Sequence, residues 1–176
     1  MSGTKKAFDL STEFLETFFS TIYEEDEKEI IRQIIKRFEE CGLPVKTKQY
    51  AQPCMEGTFR ILCFIKKSAE AVIINNKGMG RDCMSIQVRI DDRSILEKLD
   101  NFSENIKNQI LNSTDCKYCS AKCDKKQYVF TYQENEYIKC HVFCVNFIFQ
   151  NMNKNDIDSL MNIINNEISY KQSLIK

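Results

Sequence analysis

The chain has no tryptophan, one histidine, two prolines and no net charge, with 25 lysines and arginines balancing 25 aspartates and glutamates. Each scarcity excludes something. A balanced charge without a long basic run lacks the electrostatic footprint that nucleic-acid binding needs, so DNA and RNA are not expected partners. Long apolar runs are also missing: the longest, such as Ile61 to Ile65 and Ala71 to Ile74, fall far short of the ~20 residues that a membrane-spanning helix requires. Met1 to Asp9 carries two lysines but no following apolar stretch and no small-residue cleavage site, so a cytoplasmic protein is expected, with no membrane partner. There is no G-x-S-x-G sequence, and a Cys/His catalytic pair would have to use the single histidine, His141. No catalytic set emerges.

What the chain does have is cysteine, nine residues of it. An odd number without a secretion signal argues against a disulfide framework and for free thiols or metal ligands. Cys41, Cys54, Cys63 and Cys83 are dispersed. Cys63 lies within the apolar run Ile61-Leu62-Cys63-Phe64, where a thiol acts as a small buried hydrophobe. The remaining five, with His141, form the series C-x2-C-x3-C-x16-C-H-x2-C: Cys116, Cys119, Cys123, Cys140, His141 and Cys144. That spacing suits thiolates wrapped around one metal ion, most often zinc.

Periodicity outlines the fold. Phe14, Leu15, Phe18, Phe19, Ile22 and Tyr23 form one helical stripe with Ser11 or Thr12 as cap, and Ile30, Ile31, Ile34, Ile35 and Phe38 form a second that stops at Gly42 and Pro44. A break near Glu24 to Asp26 separates them, because one continuous helix would put Asp26 and Glu27 on its apolar side. The carboxylates from Glu24 to Glu29 are read as a solvated helix N-terminus.

Strands follow at Val45 to Tyr50, Thr58 to Lys66, Ala71 to Asn75 and Met84 to Ile90, the last alternating apolar and polar residues. Short polar links make an antiparallel meander the economical topology. Asn76 to Arg81, with Gly78 and Gly80, resembles an anion-binding loop, but no helix begins there and a plain turn is favoured. Asp91 or Asp92 then caps a helix that buries Ile95, Leu96, Leu99, Phe102, Ile106 and Ile110, divided near Asn101 to Ser103. Tyr128 to Tyr132 and Tyr137 to Phe149 form a hairpin around Gln133-Glu134-Asn135-Glu136. A last helix carries Ile157, Leu160, Met161, Ile164 and Ile168, with Asn155 as candidate cap. At 176 residues and 43% hydrophobic content, without repeats or a low-complexity linker, one domain over 1–176 suffices. The expected class is α+β, a mainly antiparallel sheet with helices packed on one face and a Cys-rich metal-binding segment at 115–144.

Tetrahedral zinc places sulfurs ~2.3 Å from the metal and so about 3.8 Å from one another. Cys116 and Cys119 meet this through a tight turn, and Cys123 joins if the chain curls back. If Tyr137 to Phe149 is one regular strand, Cys140 and Cys144 stand roughly 13 Å apart, and Cys140 and His141 point to opposite faces. The preferred ligands are therefore Cys116, Cys119, Cys123 and Cys140. His141 and Cys144 are reserves that require a broken strand. Four thiolates fill the coordination sphere, which makes the zinc structural; an iron–sulfur cluster is the alternative cofactor. A lone histidine beside a buried strand also fits a hydrogen-bonded core residue.

The segment D-C-K-Y-C-S-A-K-C-D-K-K-Q-Y-V-F-T-Y-Q-E-N-E-Y-I-K-C from Asp115 to Cys140, followed by the aromatic strand and terminal helix, resembles the tail of small uncharacterised bacterial proteins. The upstream half is similar in outline to small domains with helices on an antiparallel sheet. Neither resemblance implies an activity. The expected function is a zinc-stabilised domain that binds a small molecule or a protein, or regulates one. The competing expectation is a thiol redox enzyme or sensor that uses Cys116 and Cys119 as a reactive pair.

Overall fold

A computed structural model describes residues 10–49, 58–66, 69–77, 83–115, 127–140 and 147–174. The chain is α+β. Its strands form a five-stranded, mainly antiparallel sheet in the order β1-β2-β3-β4-β7 and a separate two-stranded sheet, β5-β6. The strands are β1 Val45–Gln49, β2 Phe59–Lys66, β3 Ala69–Asn75, β4 Ser85–Val88, β5 Gln127–Tyr132, β6 Asn135–Cys140 and β7 Phe147–Phe149. No helix among the described residues is long and apolar enough to cross a membrane. Two compact units divide the chain, Met1–Ile86 with Gln150–Lys154 and Gln87–Phe149 with Asn155–Lys176.

In the first unit, α1 (Thr12–Ser20) starts where the Phe14 amide donates to Ser11 Oγ at 3.2 Å, satisfying one of the orphan donors of the first turn. The break between helices falls at residues 21–24, and α2 (Glu25–Glu40) follows. Gly42, at φ +62°, ends α2 in a Schellman motif, with the Leu43 amide donating to the Phe38 carbonyl and that of Gly42 to Glu39, both at 2.9 Å. Phe18, Ile22, Ile30, Ile31, Ile34 and Phe38 are buried as the stripes require, whereas Tyr23 is 89% exposed. Glu27 departs from the solvated reading of the acidic run: it lies on the buried side of α2 at 8% exposure, three and four residues before Ile30 and Ile31.

Strand β2 pairs antiparallel with both β1 and β3, opposing Cys63 to Val45 and to Val72. Ile61, Cys63 and Ile65 are buried together on one side, as alternation demands. Asn76, just beyond β3, accepts the Phe59 amide on Oδ1 at 2.8 Å and donates from Nδ2 to Thr21 Oγ1 at 3.0 Å. It ties the end of the β2-β3 pair to the end of α1. Of the glycine loop it opens, residues 78–81 lie outside the described residues.

In the second unit, a 3-10 helix (Arg93–Asn101) is capped by Asp92, whose Oδ1 accepts the Ser94 amide at 3.1 Å, and α3 (Glu104–Leu111) is capped by Ser103. All six apolar positions expected for this stretch are buried. The hairpin turn is tighter than the four-residue link expected from sequence. Gln133 and Glu134 alone connect β5 to β6, at φ +47° and +65°, the doubly left-handed geometry that matches strand twist in a two-residue turn. The last helix, α4 (Ile157–Ser173), follows Asp156 rather than Asn155. Asp156 is 1% exposed, and its carboxylate accepts from Ser103 Oγ at 2.5 Å and Asn105 Nδ2 at 2.8 Å, so it joins the start of α4 to that of α3.

The strand expected from Tyr137 to Phe149 is described only at its two ends. Its described residues fall into β6 and β7, which belong to different sheets, with residues 141–146 outside the described set.

Candidate functional site

Of the six candidate metal ligands, Cys140 is described; Cys116, Cys119, Cys123, His141 and Cys144 lie outside the described residues. Among the described residues, no three His, Cys, Asp or Glu side chains form a group that could hold a metal ion. The surroundings of Cys140 are well defined. It ends β6, is 8% exposed, and pairs across the hairpin with Gln127. Its amide donates to the Thr114 carbonyl at 3.0 Å, and Asp115 forms an antiparallel bridge with neighbouring Lys139. Residues 115 and 127, which flank the cysteine-bearing stretch 116–126, are thus both held at the last two residues of β6.

Lys139 fastens this stem. At 4% exposure its ammonium donates to Asp115 Oδ1 at 2.7 Å and to the Ser113 carbonyl at 3.0 Å, and lies 5.4 Å from the centre of the Tyr137 ring. A buried ammonium is tolerated only when paired in this way. Strand alternation puts Lys139 and Tyr137 on one face of β6 and Cys140 and Ile138 on the other. The latter face carries the cross-strand pair Val129 and Ile138, 42% and 38% exposed.

The choice between ligand sets turns on residues 141–144, which lie outside the described residues. The ~13 Å span between Cys140 and Cys144 holds only for an unbroken strand, and the described parts of that run enter separate sheets. Both candidate ligand sets therefore stand: Cys116, Cys119, Cys123 and Cys140, or Cys116 and Cys119 with two of Cys140, His141 and Cys144. Of the four dispersed cysteines, Cys54 lies outside the described residues. Cys41, Cys63 and Cys83 are free thiols. Complete burial pushes the Cys63 thiol far up, which makes it an inert core residue, and Cys83 Sγ accepts from Gln150 Nε2 at 3.4 Å.

A second polar cluster escaped the sequence reading. Glu167 and Lys171, one turn apart on the buried side of α4, are 1% and 6% exposed. Glu167 Oε1 accepts the amides of Asp91 and Asp92 at 2.9 and 2.8 Å. The Lys171 ammonium lies 3.0 Å from Asp91 Oδ2 and 3.7 Å from Glu167 Oε2, and Arg89 Nε donates to Asp91 Oδ1 at 3.1 Å. Tyr128, 1% exposed on β5, stands close enough for the charges of Asp91 and Glu167 to act on it, with Arg93 5.9 Å from its ring centre.

The electrostatics follow from these positions. Burial opposes ionisation of Asp91, but the Lys171 and Arg89 cations outweigh it and hold the carboxyl below the ordinary range. At Glu167 burial prevails over the two amide donors and Lys171, and the carboxyl is raised. Burial, reinforced by Asp91 and Glu167, pushes the Tyr128 phenol up. The signal in the sequence was register: Glu167 and Lys171 continue the stripe of Leu160, Ile164 and Ile168 at helical spacing. Charged residue types hid it.

Comparison with family models, curated proteins and solved structures finds no match to this chain.

Proposed function

We propose that the chain is a zinc-stapled domain of the cytoplasm that binds a small molecule or a protein partner, or regulates one, with Cys116, Cys119, Cys123 and Cys140 as ligands. The observation that carries this reading is the closed stem: Asp115 bridges to Lys139 and Gln127 pairs with Cys140. Cys116 is one residue from Asp115, and Cys123 is four from Gln127, at most about 14 Å of chain. Cys140 is thus within reach of both ends of the cysteine stretch. Four thiolates close the coordination sphere, so the metal supplies folding energy rather than an activated water. The alternative ligand set is Cys116 and Cys119 with two of Cys140, His141 and Cys144, and it requires the strand to be broken after Cys140.

Elemental analysis of protein purified without added metal tests the reading, with one equivalent of zinc expected and well under one refuting it. Cobalt exchange then separates the sets. Cys123→Ala abolishes the tetrahedral thiolate spectrum if the first holds, whereas paired His141→Ala and Cys144→Ala substitutions abolish it if the second does. An iron–sulfur cluster would appear as iron with matching acid-labile sulfide.

The redox alternative, with Cys116 and Cys119 as a reactive pair, is less well supported. A C-x2-C redox site follows a strand and opens a helix, and the regular element before Cys116 is α3. Rapid alkylation of one cysteine in metal-replete protein would favour it.

A further inference from the structure

The corner formed by Asp91, Glu167 and Lys171 holds one atom that is out of balance. Glu167 Oε1 accepts two backbone amides, yet Oε2, fully buried in the same carboxyl group, has no hydrogen-bond partner among the described residues. A buried acceptor left in this way is costly, and more so when it carries charge. The nearest cation, the Lys171 ammonium, lies 3.7 Å from it and is engaged at 3.0 Å by Asp91 Oδ2. One ammonium therefore sits between two carboxylates and hydrogen-bonds one of them.

We propose that Glu167 Oε2 is a proton-binding site that makes this corner a two-position switch: protonated Glu167 leaves the Lys171 ammonium on Asp91, and ionised Glu167 draws it away. The chemistry balances without a co-reactant. The O–H bond at Oε2 breaks, the proton leaves to solvent, and the carboxylate takes up the ammonium that Asp91 gives up. Arg89 retains Asp91 through Oδ1, so the acid stays paired in both positions.

The charged and titratable groups around Glu167 come from each element at the corner. Arg89, Asp91 and Asp92 precede the 3-10 helix, and Arg93 opens it. Tyr128 comes from β5 and Lys171 from α4. Tyr128 stays neutral because burial raises its phenol, and the cations Arg89 and Arg93 are directed at Asp91 and the Tyr128 ring. Lys171 is thus the mobile charge. The upward displacement of the Glu167 carboxyl sets the sign: the protonated corner persists above the pH at which exposed glutamates ionise, and the switch operates as pH rises through that higher value.

Carboxyl-carbon NMR titration of the intact chain tests this, with Glu167→Gln used only to assign the Glu167 resonance. The expected result is a Glu167 midpoint above those of the exposed glutamates in the same spectrum, with a second inflection of the Asp91 carboxyl carbon at that midpoint. Titration of Glu167 together with or below the exposed glutamates overturns the proposal. A flat Asp91 trace at the Glu167 midpoint overturns it equally. Lys171→Met, which removes the mobile charge, must move the Glu167 midpoint further up if the variant folds; an unmoved midpoint refutes the coupling. The wild-type titration decides the matter if it does not fold.

Discussion

Replacing Glu27 with glutamine should stabilise the protein at neutral pH and leave it unchanged in acid. Glu27 occupies the first turn of α2 at 8% exposure, and burial, with a smaller contribution from the Glu24 charge, pushes its carboxyl from 4.5 to about 6. At about 1.4 kcal/mol per tenfold change in proton affinity, the ionised carboxylate costs the fold about 2 kcal/mol above pH 6. A helix N-terminus attracts negative charge by roughly 0.3–1 kcal/mol, an attraction that the neutral amide gives up. Allowing for that, the net gain at pH 7.5 is about 1 kcal/mol, or roughly 2–4 °C in Tm for a chain of this size.

The sign follows from linkage. A carboxyl raised in the folded state binds its proton more tightly there than in the unfolded chain, so wild-type stability falls as pH rises from 4.5 to about 6. The variant lacks this loss. Urea unfolding of both proteins between pH 4 and pH 8 measures the difference, in which titrations at distant groups cancel. The two curves should coincide near pH 4 and separate through the window, with Glu27→Gln above. A difference independent of pH, or one that favours the wild type as pH rises, would refute the placement of Glu27 on the buried face.

On the zinc reading proposed above, Lys139→Met should weaken metal retention against a chelator by about tenfold or more while leaving every candidate ligand in place, because it removes the donor that fastens residues 113–115 beside Cys140; equal retention would separate the stem from the metal. Asp92→Ala removes the cap on the 3-10 helix and the acceptor of Asn166 Nδ2, and chemical denaturation should show a loss of about 1–2 kcal/mol. Asp92→Ser, which keeps the cap and drops the second bond, should lose less, and equal losses would mean that the cap contributes nothing.

Particular elements show how far the sequence determined this protein. The stripes that became α1 and α2, the alternation in β2, and the six apolar positions from Ile95 to Ile110 were legible because helix and strand periods are local properties of the backbone. The Gly42 stop and the Asp92 cap were legible because their chemistry acts within one turn. Tertiary structure decided what depends on partners distant in sequence. Tyr23 is exposed although its stripe continues, and Glu27 is buried although its neighbours are acidic. The two described ends of an aromatic run that reads as one strand lie in different sheets. Glu167 is linked to Asp91 and Asp92, 76 and 75 residues away. Periodicity states which side of an element is turned inward; which charges meet there, and whether each finds a partner, depends on long-range packing that no local pattern encodes.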